Sequence, residues 1–312
     1  MNKIRYILLL SLFFAMAFAQ GQSSGFGPPM YGPPRLSGTF GELRSTHFHA
    51  GIDLKTDQVE GKPVLSVADG YISRIAVSPV GYGKVLYVNH PGGHTSVYAH
   101  LSRMKGKIEE YLHRKHYELQ SYALDISVEP GVLPVRKGDT LAFSGNSGAS
   151  GGPHLHFEIR ETSSQATLNP LKNGFTAKDF IRPIISLLKI YPSGNGSLVK
   201  GSPKPITLIP EGWGPVYRIP KRDTLEIAGS AWFGIQAHDL LNGETNKNGI
   251  FSMSLFIDSL EVFGIEFSKL FFDKARQIHT LCDYADFQET GRRIIQTRRE
   301  ACNRLDIYST LK

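Results

Sequence analysis

The sequence predicts a mostly β protein: a domain built on an antiparallel β-sheet with one inserted helix, followed by a β-sandwich-like module. Three observations predict it. Short apolar or alternating runs recur between glycine turns from Gly38 to about Arg160, one stretch of helical spacing interrupts them, and similar runs resume after residue 183 with polar loops between them. At 312 residues the chain exceeds a typical single domain and has material for two cores. A hydrophobic content of 41% excludes a disordered chain. Two cysteines exclude a disulfide-dense miniprotein and a four-cysteine zinc module.

Met1 to Ala19 reads as a secretory signal. Lys3 and Arg5 form its basic end, Ile7 to Phe18 its apolar run, and Ala17-Phe18-Ala19 its small-residue cleavage site. An uncleaved anchor is the alternative, but this run is short of the roughly 20 residues a span needs. The product is therefore expected to be exported, without a stable membrane anchor. Removing Lys3 and Arg5 leaves 33 − 28 = +5 in place of +7. That charge carries no long Lys/Arg block, so no nucleic-acid partner is expected, and loose attraction to an anionic envelope polymer accounts for it.

Residues 20–37, rich in Gly, Ser and Pro, are expected to form a flexible, exposed lead-in. Strands follow at Val64–Val67, Gly70–Val77, Lys84–Asn89 and Thr95–His100, with Pro91-Gly92-Gly93 as a hairpin turn. Within 103–122, Ile108, Tyr111, Leu112 and Lys115 recur at helical spacing among charges and predict the inserted amphipathic helix. Strands resume near Leu124, and a turn at Val135–Asp139 leads into Leu141–Ser144. The first domain is expected to span 38–178. Residues 179–312 form the second module, with strands at Ile184–Tyr191, Thr224–Ala228, Phe233–Asp239 and Phe251–Ile257. Its strand pattern stops unfinished at Ser309–Lys312, which leaves room for an incomplete module. In an oxidising compartment a Cys282–Cys302 bond would contribute about 3 kcal/mol; two free buried thiols are the alternative.

Nine of the eleven histidines precede residue 157. Read as a strand, Thr46–Leu54 puts positions 49, 51 and 53 on one face, and Gly51 leaves space between the His49 imidazole and the Asp53 carboxylate. Such a pair can clamp a metal ion, although His-x-x-x-Asp alone is a common chance pattern. His154 and His156 share a strand face after the glycine-rich loop 145–152, and two adjacent imidazoles are costly to bury unless bonded or metallated. His100 ends a strand and on its own reads as a surface or capping residue.

His49-Ala50-Gly51-Ile52-Asp53, Tyr98-Ala99-His100-Leu101-Ser102 and Gly152-Pro153-His154-Leu155-His156-Phe157-Glu158, in that order, resemble the LytM/lysostaphin-type zinc metallopeptidases. Pro63–Gly70 with Gly81–Val85 is similar to the hairpin between those motifs, so the likeness covers about residues 38–170. It implies an antiparallel β-sheet peptidase, of the duplicated-hybrid-motif fold, that cuts peptide cross-bridges or stems of peptidoglycan. It further implies one Zn2+ per peptidase domain on His49, Asp53 and His156, with His100 and His154 as catalytic histidines beside the metal-bound water. The chemistry agrees: three protein ligands leave a position open, and zinc brings bound water from a pKa near 15.7 to about 7. His154 is placed to take the water's proton and pass it to the leaving amine; His100 donates to the oxyanion or shares the base role. No His-Glu-x-x-His motif is present, and neither cysteine lies near these histidines in sequence.

The helical stretch and its continuation to Leu133 depart from the family's short link. They would wall or gate the groove, bind an envelope protein, or simply form a solvated surface helix. His113 and His116 read as exposed helix residues, His47 as a spare ligand or an incidental neighbour, His90 and His94 as solvent-facing, and His238 and His279 as structural. Two other functions compete with this one. A catalytically silent LytM-type regulatory or wall-binding module would have lost ligands, whereas all five positions stand here. A biotinyl- or lipoyl-type carrier, suggested by Val67-Ala68-Asp69-Gly70-Tyr71, would need a lysine in its turn.

Overall fold

Apolar side chains stand on both faces of the central strands. Leu86, Val88 and Tyr98 pack into the main core on one face; Val85, Tyr87, Val97 and Ala99 form a smaller cluster on the other. In the computed structural model, which describes residues 25–213, 216–219 and 225–311, these strands form the middle of the principal sheet. The secretory signal expected at 1–19, and Thr224, lie outside the described residues. The sheet runs β1 (Leu36–Gly38), β2 (Ile52–Lys55), β11 (His154–Glu161), β6 (His94–Ala99), β5 (Lys84–His90), β4 (Gly70–Val77) and β8 (Leu124–Ser127), every neighbour antiparallel. A second sheet of β3 (Pro63–Leu65), β10 (Thr140–Ser144) and β7 (Leu101–Met104) covers one side of the core. The register sets the site: His156 pairs with Asp53 on one side and with Ala99 on the other, immediately before His100.

The helix, α1 (Lys107–Leu119), is shorter than the expected stretch because β7 takes its first residues. Ile108 and Leu112 are its buried contacts, and Gln120, at φ 46°, ends it in the left-handed conformation with its N–H on the His116 and Tyr117 carbonyls. The lead-in is not free where it is described. Gly27 N–H donates to the Val67 carbonyl at 2.6 Å, Phe26 stacks on Phe175 with centroids 5.9 Å apart, and Met30 is 8% exposed. Two apolar side chains suffice to tether a segment whose composition reads as linker.

Beyond residue 183, β13 (Ile184–Val199) and β17 (Ile227–His238) pair along their length, flanked by β14 (Ile206–Leu208) and β21 (Ile295–Gln296). The two strands expected at Thr224–Ala228 and Phe233–Asp239 are thus one, and the Ile184–Tyr191 strand runs on past a bulge. β18 (Ser252–Ile257), β19 (Leu260–Glu266) and β22 (Tyr308–Leu311) form a further sheet, so the last residues carry a strand where an unfinished pattern was expected. The cysteines are both free: Cys282 is buried beside Ile278 and Leu281, whereas Cys302 is exposed. Neither the bond nor a pair of buried thiols is present.

This C-terminal region does not keep its core to itself. Phe40 and Phe48 join Phe263, Phe267, Leu270, Ile278 and Leu281 in one buried cluster. β20 (Lys269–Leu270) pairs with β12 (Thr167–Leu168), which pairs with β11, so the region adds a strand to the principal sheet. Among the described residues no helix is long and apolar enough to cross a membrane.

Candidate active site

His49, Asp53, His100, His154 and His156 line one cleft of about 500 Å³. His154 and His156 reach it from the same face of β11, as their period-two spacing requires, and Asp53 faces His156 across the strand pair. His49 comes from the loop preceding β2, not from a strand, and the role expected of Gly51 changes accordingly. A Cβ at Gly51 would lie 2.2 Å from the Phe157 carbonyl oxygen. Glycine is needed for contact with the neighbouring strand rather than for room between the ligands. His100 follows β6 at φ 60°, a left-handed conformation uncommon for a non-glycine residue, which turns its ring towards His154 with centroids 4.7 Å apart.

Three ligand atoms converge. His49 Nε2 lies 3.0 Å from Asp53 Oδ1 and 3.1 Å from His156 Nδ1, and His156 Nδ1 lies 2.9 Å from Asp53 Oδ1. A carbonyl or carboxylate oxygen can only accept, so the opposite nitrogen of each ring carries its proton. His49 Nδ1–H donates to the Thr39 carbonyl at 2.8 Å, and His156 Nε2–H donates to Glu158 Oε1 at 2.9 Å. With those nitrogens occupied, His49 Nε2, His156 Nδ1 and Asp53 Oδ1 are left facing one another. A tetrahedral zinc ion with bonds of about 2.0–2.1 Å separates its ligand atoms by about 3.3 Å, so the donor set fits such a cation. All three residues are buried, and they form a metal-competent group.

The two remaining imidazoles are held alike. His100 Nδ1–H donates to the Ser147 carbonyl and His154 Nδ1–H to the Gly152 carbonyl, each at 2.8 Å, leaving both Nε2 lone pairs free. His154 Nε2 is 3.6 Å from Asp53 Oδ1. Burial lowers the His100 pKa to about 4, so that ring is neutral at pH 7.

Partners behind the ligands escaped the sequence reading. Arg44 Nη2 donates to Asp53 Oδ2 at 3.0 Å and lies 2.8 Å from Glu42, an ion contact without hydrogen-bond geometry at the Glu42 oxygen. Glu158 is fully buried between His156, Tyr82 and Arg160, whose Nε donates to Oε2 at 2.6 Å. Burial alone would raise the Glu158 pKa; the Arg160 charge and the His156 bond outweigh it and hold it at about 2. Burial likewise opposes the charged form of His156, but the hydrogen bonds it donates to Asp53 and Glu158 push its pKa up to about 9, so a metal ion would have to displace the Nδ1 proton. Asp53 lies well below the ordinary carboxylate range: burial works against this, and His49 and His156 win.

Of the other histidines, His47 is exposed on the cleft rim. His90 is buried rather than solvent-facing, with Nδ1 at the Asp69 carbonyl (2.9 Å) and Nε2 at Ser96 Oγ (2.7 Å), because β5 and β6 extend to the turn. His113 is exposed on α1, and His116 is half-buried against Tyr122.

Residues 47–117 match the model of peptidase family M23. An uncharacterized metalloprotease of Haemophilus influenzae is 30% identical over 141 residues, 45% of this chain and 23% of that protein. A DD-carboxypeptidase/endopeptidase, Mpg, of Neisseria meningitidis is 32% identical over 131 residues, 40% of this chain and 24% of that protein. The matches thus span about a quarter of the length of these relatives. Among solved structures, the catalytic domain of lysostaphin from Staphylococcus simulans matches at 22% identity and TM-score 0.34, covering 45% of this chain and 90% of that one. The family match falls on the segment that supplies His49, Asp53 and His100, and residues 47–117 are similar to peptidase family M23.

Proposed function

We propose that this chain is an exported zinc metalloendopeptidase that hydrolyses peptide bonds of peptidoglycan, in stem cross-links or bridges. The observation that carries the reading is the convergence of three buried ligand atoms beside two further imidazoles whose Nε2 atoms face the same cleft. The name of the Neisseria relative supports the substrate class. The silent alternative finds no support in a site with every chemical group in place.

His49, Asp53 and His156 would hold the zinc ion, which supplies Lewis acidity and acidifies water to a pKa of about 7. His154 and His100 do the proton work. Each has its Nδ1–H committed to a carbonyl and so can accept at Nε2, and between them they carry a proton from the attacking water to the leaving amine. Once protonated, either Nε2–H donates to the developing oxyanion.

Digestion of purified peptidoglycan, with fragments identified by mass, tests the reading and names the bond. Wild-type protein should release fragments with a new amine terminus, and Asp53→Ala should release none and bind no stoichiometric zinc. Intact peptidoglycan after incubation with zinc-loaded wild-type protein would overturn the proposal.

A further inference from the structure

We infer that the C-terminal segment 249–272 is the outer support of the metal centre, positioning each ligand through the group that the ligand bonds; this rests on the metal reading of His49, Asp53 and His156. Each of the three ligands leans on a partner, and each partner leans on this region. His49 is oriented by the Thr39 carbonyl, and the Thr39 hydroxyl accepts from Gly249 N–H at 3.1 Å. Phe48, beside His49, packs on Phe267 with ring centroids 5.9 Å apart. Asp53 keeps Oδ1 for the metal because Arg44 takes Oδ2. The turn that carries Arg44 is pressed from behind: a Cβ at Gly41 would lie 2.7 Å from Phe267 Cβ, and one at Gly249 would lie 2.8 Å from Glu42 Cα. His156 is oriented by Glu158, and Glu158 is held by Arg160. The Arg160 guanidinium stands 4.6 Å from the Phe272 ring and 5.4 Å from that of Tyr87.

Backbone pairing fixes these contacts. The β12–β20 ladder places Phe272 two residues beyond Leu270, and Lys269 Nζ reaches both Glu161 carboxylate oxygens at 2.7 Å. Metal ligands need their outer bonds to stay aimed, and loss of such a partner costs roughly 10- to 100-fold in metal affinity. Here those partners belong to the peptidase sheet and its loops, while their backing belongs to residues 249–272.

Phe272 is 47% exposed, so truncating it leaves the core intact. In the full chain, zinc affinity measured by competition with a chromophoric chelator should fall about two- to fivefold in Phe272→Ala. Phe272→Tyr should restore it, and Arg44→Gln should lower it about tenfold. Phe180→Ala removes a ring that is 84% exposed and lies outside residues 249–272, and it should leave affinity unchanged. Wild-type affinity in Phe272→Ala, or an equal loss in Phe180→Ala, would overturn the support role. A wild-type chain that takes up no zinc would overturn the metal reading itself, a distinct result.

Discussion

Glu158 is the buried group whose loss should be felt most widely. It is inaccessible to solvent, accepts from His156 and Arg160, and bonds Tyr82. Glu158→Gln keeps the shape and an acceptor for His156 but leaves the Arg160 guanidinium, itself buried, without its counter-charge. The stake can be sized from the carboxyl's displacement from 4.5 to about 2, which at 1.36 kcal/mol per unit is about 3 kcal/mol. Breaking a buried pair by removing one partner costs about 3–5 kcal/mol, in agreement. In a domain of this size that is a drop of roughly 6–12 °C in Tm. The depressed pKa also sets the pH window. The unfolded chain binds a proton near 4.5 that the folded chain refuses until about 2, so this stability is present above pH 4.5 and is lost as pH falls through that interval. Thermal melts of the metal-free protein at pH 7 and pH 3 should therefore show a large wild-type advantage at the first pH and a shrunken one at the second. Glu158→Gln/Arg160→Met, which removes both charges, should recover most of the loss. A Tm for Glu158→Gln within 2 °C of wild type at pH 7 would refute the reasoning.

Further expectations follow from the same geometry. His154→Ala should keep its zinc and lose roughly 10²- to 10⁴-fold in turnover on peptidoglycan, and activity near wild type would remove His154 from the catalytic pair. Gly51→Ala drives a methyl group against the Phe157 carbonyl and should cost about 1–3 kcal/mol in chemical denaturation, whereas an unchanged midpoint would mean that the strand pair yields freely. Burial, then the Asp179 charge, raises the Asp239 pKa to about 6, so its contribution falls as pH rises from about 4 to 6. Asp239→Asn should consequently raise Tm at pH 7.5 and not at pH 4; screening at this half-exposed group limits the gain to about 1–2 kcal/mol, and equal gains at both pH values would rule out the ionisation as its source.

What the sequence made legible was local. Period-two alternation and glycine turns placed Gly70–Val77 and the Pro91–Gly93 hairpin, and the three histidine motifs supplied the five side chains that the fold brings to one cleft. What escaped was either long-range or chemically ambiguous. Arg44 sits among Glu42, Ser45 and Thr46 and reads as a solvated loop charge until the fold brings it to Asp53. Phe48 and Phe267 are far apart in sequence and share no local pattern, so a core common to both halves of the chain was invisible. Glu158 and Arg160 did leave a signal. They continue the His154, His156 face at the same spacing while Leu155, Phe157 and Ile159 fill the other, which means four polar side chains on a strand flanked on both sides. Such a row is tolerable only if its members satisfy one another.

That row helps explain how the cleft holds four imidazoles in fixed orientations. Each ring has its outward N–H committed, three of them to backbone carbonyls and His156 to a buried carboxylate. Rotating a ring to pair with a neighbour would break that bond and strand a buried acceptor, at a cost of about 1–3 kcal/mol. The other ring nitrogens therefore stay aimed inward. His100 adds backbone strain, its φ of 60° costing roughly 1–3 kcal/mol of the kind that persists only where surrounding structure over-determines it. The carboxylate partner singles out His156: a ring backed by an anion is a stronger electron donor than one backed by a neutral carbonyl, which suits the ligand role. The carbonyl-backed His100 is a weaker base, its pKa lowered by burial to about 4.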